Sequence, residues 1–455
     1  MSKYKEFLLE DLIIYISRGI APKYTEELNN SAIIINQKCI RNFQIDLTLS
    51  RRNDLQKRVI SNDKQVKLYD ILVNSTGVGT LGRVSQFLNK IEEIVSVDSH
   101  VTILRPNIEK INPLYLGYLL KAKQNEIEGL GIGSTGQTEL SREALKSIRF
   151  NILTDQKYQK EISEFLLDID KKIELNTQIN QTLEQIAQAI FKSWFVDFDP
   201  VRAKADALAD GKTQAEAELA AQQIISGKTP EELTDLSQTH PDQYAELAEI
   251  AKAFPSEFEE VEGFGEVPRG WVAGSFSDIT QPRREKIKNT PATVLSAVSS
   301  GELVKSEEYF TKQVYSKNID KYLKVYQWDF AYNPARINIG SIGLHEKEYL
   351  GAVSPVYEVF SVTNGYYWFM KRILDLETTK TKIQTLCTGS VRQTLKLKDF
   401  QSIDCIIPDN KLISIFNRKW EEYHTFILKN NENSKTLSKL RDLLLPRLLN
   451  GKVKS

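Results

Sequence analysis

The chain has 455 residues with 41% apolar content, enough for about three domains with ordinary cores. Its three cysteines, Cys39, Cys387 and Cys405, and four scattered histidines lack disulfide or zinc spacing; no apolar run is long enough to span a membrane or is built like a secretion signal. The composition therefore points to a cytoplasmic protein with no membrane partner and no bound metal. The formal net charge of 0 hides an asymmetry: residues 196–265 hold 16 acidic and 5 basic residues, which leaves 55 basic and 44 acidic residues elsewhere. Two basic regions around an acidic joint fit two nucleic-acid-facing globules and a solvated linker.

In chain order, residues 1–154 predict a first mixed α/β globule, with strand-like runs at 32–36, 70–74 and 101–105 and a short helix at 113–123. Over 155–198, Ile162, Phe165, Ile169, Asn176, Ile179, Leu183, Ile186 and Ile190 fall at heptad spacing and predict a coiled-coil helix. Residues 199–266 form an Ala/Glu-rich acidic linker. Its turn signals at Gly211, Gly227 and His240-Pro241 predict two or three short exposed helices over 205–254. A second globule is expected over 267–408, opening with Val267-Pro268-Arg269-Gly270-Trp271. A second seam follows over 409–451, carried by Ile413, Phe416, Trp420, Tyr423, Ile427, Leu437, Leu440, Leu444 and Leu448, with Pro446 kinking or ending its last turn.

The two halves repeat. Gly133-Ser134-Thr135-Gly136-Gln137-Thr138 returns as Gly389-Ser390-Val391-Arg392-Gln393-Thr394, 256 residues on. Asp70-Ile71-Leu72-Val73-Asn74-Ser75 returns as Asp329-Phe330-Ala331-Tyr332-Asn333-Pro334 at an offset of 259, and Gly79-Thr80-Leu81-Gly82 as Gly340-Ser341-Ile342-Gly343 at 261. A drifting offset means one scaffold with loops of unequal length. The predicted fold class is α+β: two mixed α/β globules joined by two long antiparallel coiled-coil helices, in a pseudo-twofold internal repeat. Neither helix shows an apolar face wide enough for a core helix. At about 40 residues each they would make a rod of ~60 Å. A coil between two chains is the alternative pairing, since heptads alone do not fix the partner.

The sequence holds fragments of several catalytic motifs, and each is incomplete. Gly77-Val78-Gly79-Thr80-Leu81-Gly82 matches a dinucleotide loop, but the second copy has Asn338 for the first glycine and no helical period follows, so a close backbone turn explains both. Asp210-Gly211-Lys212-Thr213 and Ser226-Gly227-Lys228-Thr229 end like phosphate loops, yet Asp206 and Gln222 stand where the first glycine is required. Tyr332-Asn333-Pro334-Ala335-Arg336 lacks the second proline and the aromatic of an amino-methyltransferase turn. No histidine has a nearby nucleophile pattern.

The run from Leu183 to Lys204, LEQIAQAIFKSWFVDFDPVRAK, closely resembles the end of the first helix of the DNA specificity subunits of type I restriction-modification systems. So do Gly265-Glu266-Val267-Pro268-Arg269-Gly270-Trp271, the segment Leu440-Arg441-Asp442-Leu443-Leu444-Leu445-Pro446-Arg447-Leu448-Leu449-Asn450-Gly451, and Ile35-Asn36-Gln37-Lys38-Cys39-Ile40-Arg41-Asn42. The resemblance covers nearly the whole chain; the stretch after Lys204 departs from it in looking longer than the usual joint. It implies two target-recognition domains, each reading half of a bipartite site in double-stranded DNA, held at a set distance by the helices. It further implies a non-catalytic chain that binds no cofactor and docks two methyltransferase subunits, which use S-adenosylmethionine. Through them it would engage restriction and translocase subunits that use ATP and Mg. A single-chain methyltransferase or nuclease fragment carrying the same domains is the alternative, separable by S-adenosylmethionine binding to the isolated chain. A coiled-coil scaffold without a DNA role is a third, separable by a low-salt gel shift.

Base reading needs fork-like or amide side chains beside turns that can enter a groove. The candidates in the first globule are Lys38, Arg41, Asn42, Arg51, Arg52, Asn74, Arg83, Ser134 and Gln137. In the second they are Arg283, Arg284, Lys286, Asn333, Arg336, Asn338, Ser390, Arg392, Gln393 and Lys396. For each, a solvated charge or a turn-satisfying amide is the competing explanation. Trp194, Phe195 and Phe198 are expected as packing anchors or a docking surface.

Overall fold

The computed structural model describes residues 4–133, 138–310, 312–363, 365–387 and 393–449. The chain divides into two compact units, Met1–Gln178 with Lys429–Ser455 and Ile179–Leu428. The divisions fall inside the two long helices, Gln156–Phe195 and Asn410–Leu449.

In the first unit one antiparallel sheet runs Ile13–Arg18, Val101–Pro106, Ile71–Asn74, Val84–Gln86. A second runs Val95–Val97, Ser31–Ile35, Arg51–Asp54, Tyr24–Thr25, its first pair parallel. The predicted strands at 32–36, 70–74 and 101–105 are all present within a residue, because their apolar runs are buried on both faces. The expected helix is Pro113–Ala122, started by Asn112, whose side chain accepts the Tyr115 N–H at 3.1 Å, and by Pro113 in its first turn.

The long helix leaves this globule with a wider buried face than its seam predicted. Gln159 bonds the Leu153 carbonyl and the Asn112 N–H, and Ser163 and Leu166 are fully covered. Phe165, assigned to the seam, is 50% exposed; Leu166 fills the core in its place, since the first turns pack on the globule and not on a partner helix. Farther along, Arg441 meets Asp170 at 2.6 Å and Asn433 meets Asn176 at 3.0 Å, an antiparallel register within the chain.

The second unit repeats the first sheet as Thr280–Pro282, Glu358–Val362, Phe330–Tyr332, Ile342–Leu344. Its second sheet runs Leu303–Lys305, Thr293–Ala297, Gly351–Val353, Leu323–Val325. The parallel pair recurs, but the fourth strand is added at the opposite edge, next to Gly351–Val353. Each globule is closed by a ribbon, Tyr4–Leu8 with Arg149–Leu153 and Val272–Ser275 with Asp404–Ile407. Here too the helices run antiparallel, Asn180 reaching the Ile427 carbonyl and Phe191 touching Phe416. The second long helix starts as a core helix, burying Leu412, Ile413, Ile415, Phe416 and Trp420, contrary to the narrow stripe expected of it. At its other end it continues past Pro446 to Leu449. Trp194, Phe195 and Phe198 are buried anchors in the same core.

The acidic linker opens with the helix Asp199–Ala209, and the stretch 205–254 then holds three whole helices, Gln214–Ser226, Pro230–Thr239 and Pro241–Ala253, as many as its turn signals predict. They are not merely exposed. Ala217, Ala221, Leu233, Leu247, Ile250 and Ala251 are buried, and Val201, Ile250 and Phe254 join the core around Trp194 and Trp271. The two phosphate-loop look-alikes are helix junctions. Gly211 and Gly227 take left-handed φ of 78° and 67°, which glycine adopts freely. Thr213 and Thr229 then cap the next helix in reciprocal boxes with Glu216 and Glu232.

Candidate nucleic-acid interface

The glycine loop at 77–82 is the turn of a hairpin between Ile71–Asn74 and Val84–Gln86, so no helix is available to receive a pyrophosphate. A Cβ on Gly82 would meet Glu128 backbone at 2.8 Å, and Gly82 φ is 81°. Both constraints are backbone geometry. Beside this turn lies an open cleft of about 790 Å³, lined among others by Tyr24, Gln37, Lys38, Arg51, Thr76, Asp98 and His100.

One wall of the cleft is a polar chain. Gln37 Nε2 donates to Thr76 Oγ1 at 2.6 Å, Thr76 Oγ1 meets His100 Nδ1 at 2.8 Å, and Thr80 Oγ1 donates to Gln37 Oε1 at 3.3 Å. The other wall is strand-borne: Tyr24 and Arg51 project from adjacent strands with the Arg51 guanidinium carbon 3.5 Å from the Tyr24 ring centroid. Burial raises the Tyr24 phenol, with buried Asp98 adding to the rise and Arg51 opposing it. Burial likewise raises Asp98, against the His100 N–H that its carboxylate accepts.

The predicted readers divide into those the fold presents and those it consumes. Lys38 and Arg51 line the cleft and are exposed, and Arg41 is exposed in a two-residue hairpin strand. Asn42 is exposed at φ 53°, a left-handed turn position that asparagine tolerates. Arg52 is turned away, paired with Glu93 and bonded to Ser31. Asn74 is 0% exposed, its amide donating to the Gln37 carbonyl, so a groove-reading role is replaced by a tether inside the sheet. Arg83 bonds the Gly79 carbonyl at 2.7 Å. Ser134 and Gln137 lie outside the described residues.

In the second globule Arg283 stands 2.7 Å from the buried Asp329 carboxylate and Arg284 pairs with Glu358 at 2.6 Å. Lys286 lines an open basic cleft of about 390 Å³ with Lys288 and Lys324. Asn333 closes its own turn by accepting the Ala335 N–H, Arg336 is exposed, and Asn338 donates to Gln393 at 3.3 Å. Lys396 is exposed at the start of helix Leu397–Gln401. Ser390 and Arg392 lie outside the described residues. Tyr24, Gln37, Thr76 and His100 were not predicted. Only strand register and loop closure bring them together, and neither leaves a local pattern. Among the described residues no group of three His, Cys, Asp or Glu is placed to hold a metal ion, and no helix is long and apolar enough to cross a membrane.

Comparison with known proteins agrees with this architecture. Residues 1–185 match the type I restriction modification DNA specificity domain. The chain is 36% identical over 482 aligned positions to the type I restriction enzyme HindI specificity subunit of Haemophilus influenzae, covering all of both chains. It is 22% identical over 360 positions to the MjaIX specificity subunit of Methanocaldococcus jannaschii, covering 75% of this chain and 69% of that one. In fold it is similar to the crystal structure of a type I restriction-modification S subunit from M. genitalium, with a TM-score of 0.53 at 12% identity over 98% of this chain and 96% of that chain. With two globules of one design, paired helices and full-length identity at this level, the chain belongs to the family of type I restriction enzyme specificity subunits.

Proposed function

We infer that this chain supplies the DNA sequence recognition of a type I restriction-modification complex and performs no bond chemistry itself. Residues 1–154 and 267–408 are its target-recognition domains, each reading one half of a bipartite site. Residues 155–198 and 409–451 are the spacer helices, and 199–266 a folded acidic joint. The observation that carries this reading is the duplication of one strand order, with an open cleft bearing unconsumed basic side chains in each copy: Lys38 and Arg51 in one, Lys286 and Lys288 in the other. Basic side chains beside a groove-sized opening give salt-dependent attraction to phosphate and can carry base contacts. Two methyltransferase subunits would dock on the chain and bring S-adenosylmethionine; restriction and translocase subunits would join through them with ATP and Mg. The chain would hold no cofactor.

The test is methylome sequencing of cells expressing the chain with its methyltransferase partner. A bipartite motif with an unread gap is expected, together with salt-sensitive duplex binding by the chain. Methyl transfer, S-adenosylmethionine binding or cleavage by the isolated chain would overturn the non-catalytic part of the reading.

A further inference from the structure

Arg51 and Arg52 are neighbours on one strand and have opposite fates. Arg52 faces Glu93 and the Ser31 hydroxyl, so its donors are spent inside the protein. The Arg51 guanidinium faces the cleft and, among the described residues, has neither a carboxylate partner nor a side-chain hydrogen bond; it lies over the Tyr24 ring. Strand pairing produces this arrangement. Tyr24 is opposite Asn53, which places Arg51 two residues along on the same face, a diagonal neighbour within reach of a long side chain. Arg51 is also paired across to Ile34 of the buried strand Ser31–Ile35, so its backbone is fixed from the other side.

A guanidinium lying on an aromatic face keeps its N–H fork in plane and free at the edge. That posture matches the geometry of guanine, whose O6 and N7 accept two parallel N–H bonds in the major groove. Holding the fork before DNA arrives removes much of the ordering cost that a solvated arginine meets on binding. Asp98, buried at the back of the cleft and accepting the His100 N–H, is close enough to act on the Tyr24 phenol but lies beyond ion-pair distance from Arg51, so it does not consume the fork.

We propose that Arg51, stacked on Tyr24, reads one guanine in the half-site of the first target-recognition domain. The proposal rests on the DNA-reading function inferred above and names the residue and base through which the first domain exerts it. A phosphate contact by the same side chain is the competing outcome, and the experiment separates the two.

The full chain, alone and with its methyltransferase partner, is used to select duplexes from a randomised library that are then sequenced, in parallel with Arg51→Ala, Arg51→Lys and Tyr24→Ala. The wild type should select a bipartite motif containing guanine in one half. Arg51→Ala should reduce preference for one guanine by roughly ten- to a hundredfold and leave the other half-site unchanged. Arg51→Lys, which keeps the charge but not the fork, should keep overall binding while losing the same preference. Tyr24→Ala should weaken preference at that position and no other. A uniform loss over all sequences in Arg51→Ala, restored by Arg51→Lys, assigns Arg51 to phosphate and overturns the proposal. An unchanged motif in Arg51→Ala overturns it as well. A wild-type chain that selects no motif in either setting overturns the DNA-reading function itself, a result distinguishable from the other two.

Discussion

Asp70 and Asp329 occupy the same place in the two globules but are neutralised from different strands. Each closes a turn by accepting the N–H of the residue three before it, Lys67 or Tyr326, at 2.8 Å. The residue just ahead of each, Tyr69 and Trp328, has left-handed φ of 73° and 69°. Asp70 takes its counter-charge from Arg105 on the central strand Val101–Pro106, at 2.7 Å. Asp329 takes it from Arg283, just past the edge strand Thr280–Pro282. The duplication has kept the buried carboxylate and its turn while moving the cation.

Arg283 was a candidate reader, and this pairing predicts that its loss is felt first in stability. Burial pushes Asp329 up to about 6, more than the Tyr326 N–H and Arg283 pull it down. A carboxyl raised in this way favours folding below its ordinary value near 3.8, and the contribution is lost as pH rises through the folded value. Arg283→Ala should push Asp329 higher still. The variant should lose about 1–3 kcal/mol above pH ~6 and almost nothing below pH ~4, where the carboxyl is protonated in either state. Urea unfolding followed by tryptophan fluorescence measures this, because all five tryptophans lie in the second unit. A loss independent of pH would assign Arg283 a role other than neutralising Asp329.

Glu346 carries the opposite sign. Burial alone would raise its carboxyl, but the His424 hydrogen bond and the Lys371 ammonium at 2.5 Å hold it down at about 2. A depressed carboxyl contributes stability that is complete above its ordinary value and disappears as pH falls through the folded value. Glu346→Gln should therefore destabilise the second unit by about 3 kcal/mol at pH 6, with the difference closing between pH ~4.5 and ~2. Parallel fluorescence-detected unfolding of both proteins across that range checks it. Curves that stay equally separated down to pH 2 would count against the ion cluster as the cause.

What could be read in the sequence follows from where the information resides. Residues 70–74 and 101–105 announce themselves because strands covered on both faces must be continuously apolar. The seams were legible for a similar reason, except where a globule replaces the partner helix and selects Leu166 over Phe165. Asn74 was misread because a polar residue after a strand looks solvent-facing, and nothing local says that the Gln37 carbonyl lies over it. The Tyr24 and Arg51 stack was invisible because it depends on which strands pair. In the acidic joint the Gly-Lys-Thr signals lack the first glycine of a phosphate loop, and their capping chemistry encodes two helix boundaries.

Lys204 shows that the joint is a folded part of the second unit. It is 2% exposed, and its Nζ donates to the carbonyls of Ala251 and Phe254 at 3.2 and 2.6 Å, capping the helix Pro241–Ala253. Lys204→Met keeps the stem and removes the donors, leaving carbonyls at a helix end unpaired in the interior. The expected cost is about 1.5–3 kcal/mol, appearing as faster proteolysis within residues 199–254. Cleavage kinetics equal to wild type would mean that the four helices do not depend on this tie.

Asn176 is a buried amide in the helix pairing of the first unit, 1% exposed, donating to Asn433 Oδ1 at 3.0 Å and Ser434 Oγ at 3.1 Å. A single polar residue at such a seam position favours the register in which it is satisfied and disfavours others, at a cost in stability relative to an apolar residue. Six residues in the N-terminal direction, the next tie is ionic: Asp170 receives Arg441 at 2.6 Å and the Tyr118 hydroxyl at 2.8 Å, while burial brings the nearby Lys121 down to about 8 despite the same carboxylate. That cluster survives Asn176→Leu, so the variant should still fold. Its helices should gain about 1 kcal/mol and lose part of their preference for pairing within one chain. Circular dichroism should then give a higher melting temperature, and light scattering after gel filtration should show a concentration-dependent dimer that wild type lacks. A variant that melts lower and stays monomeric would show that Asn176 contributes stability to the pairing and does not select its partner.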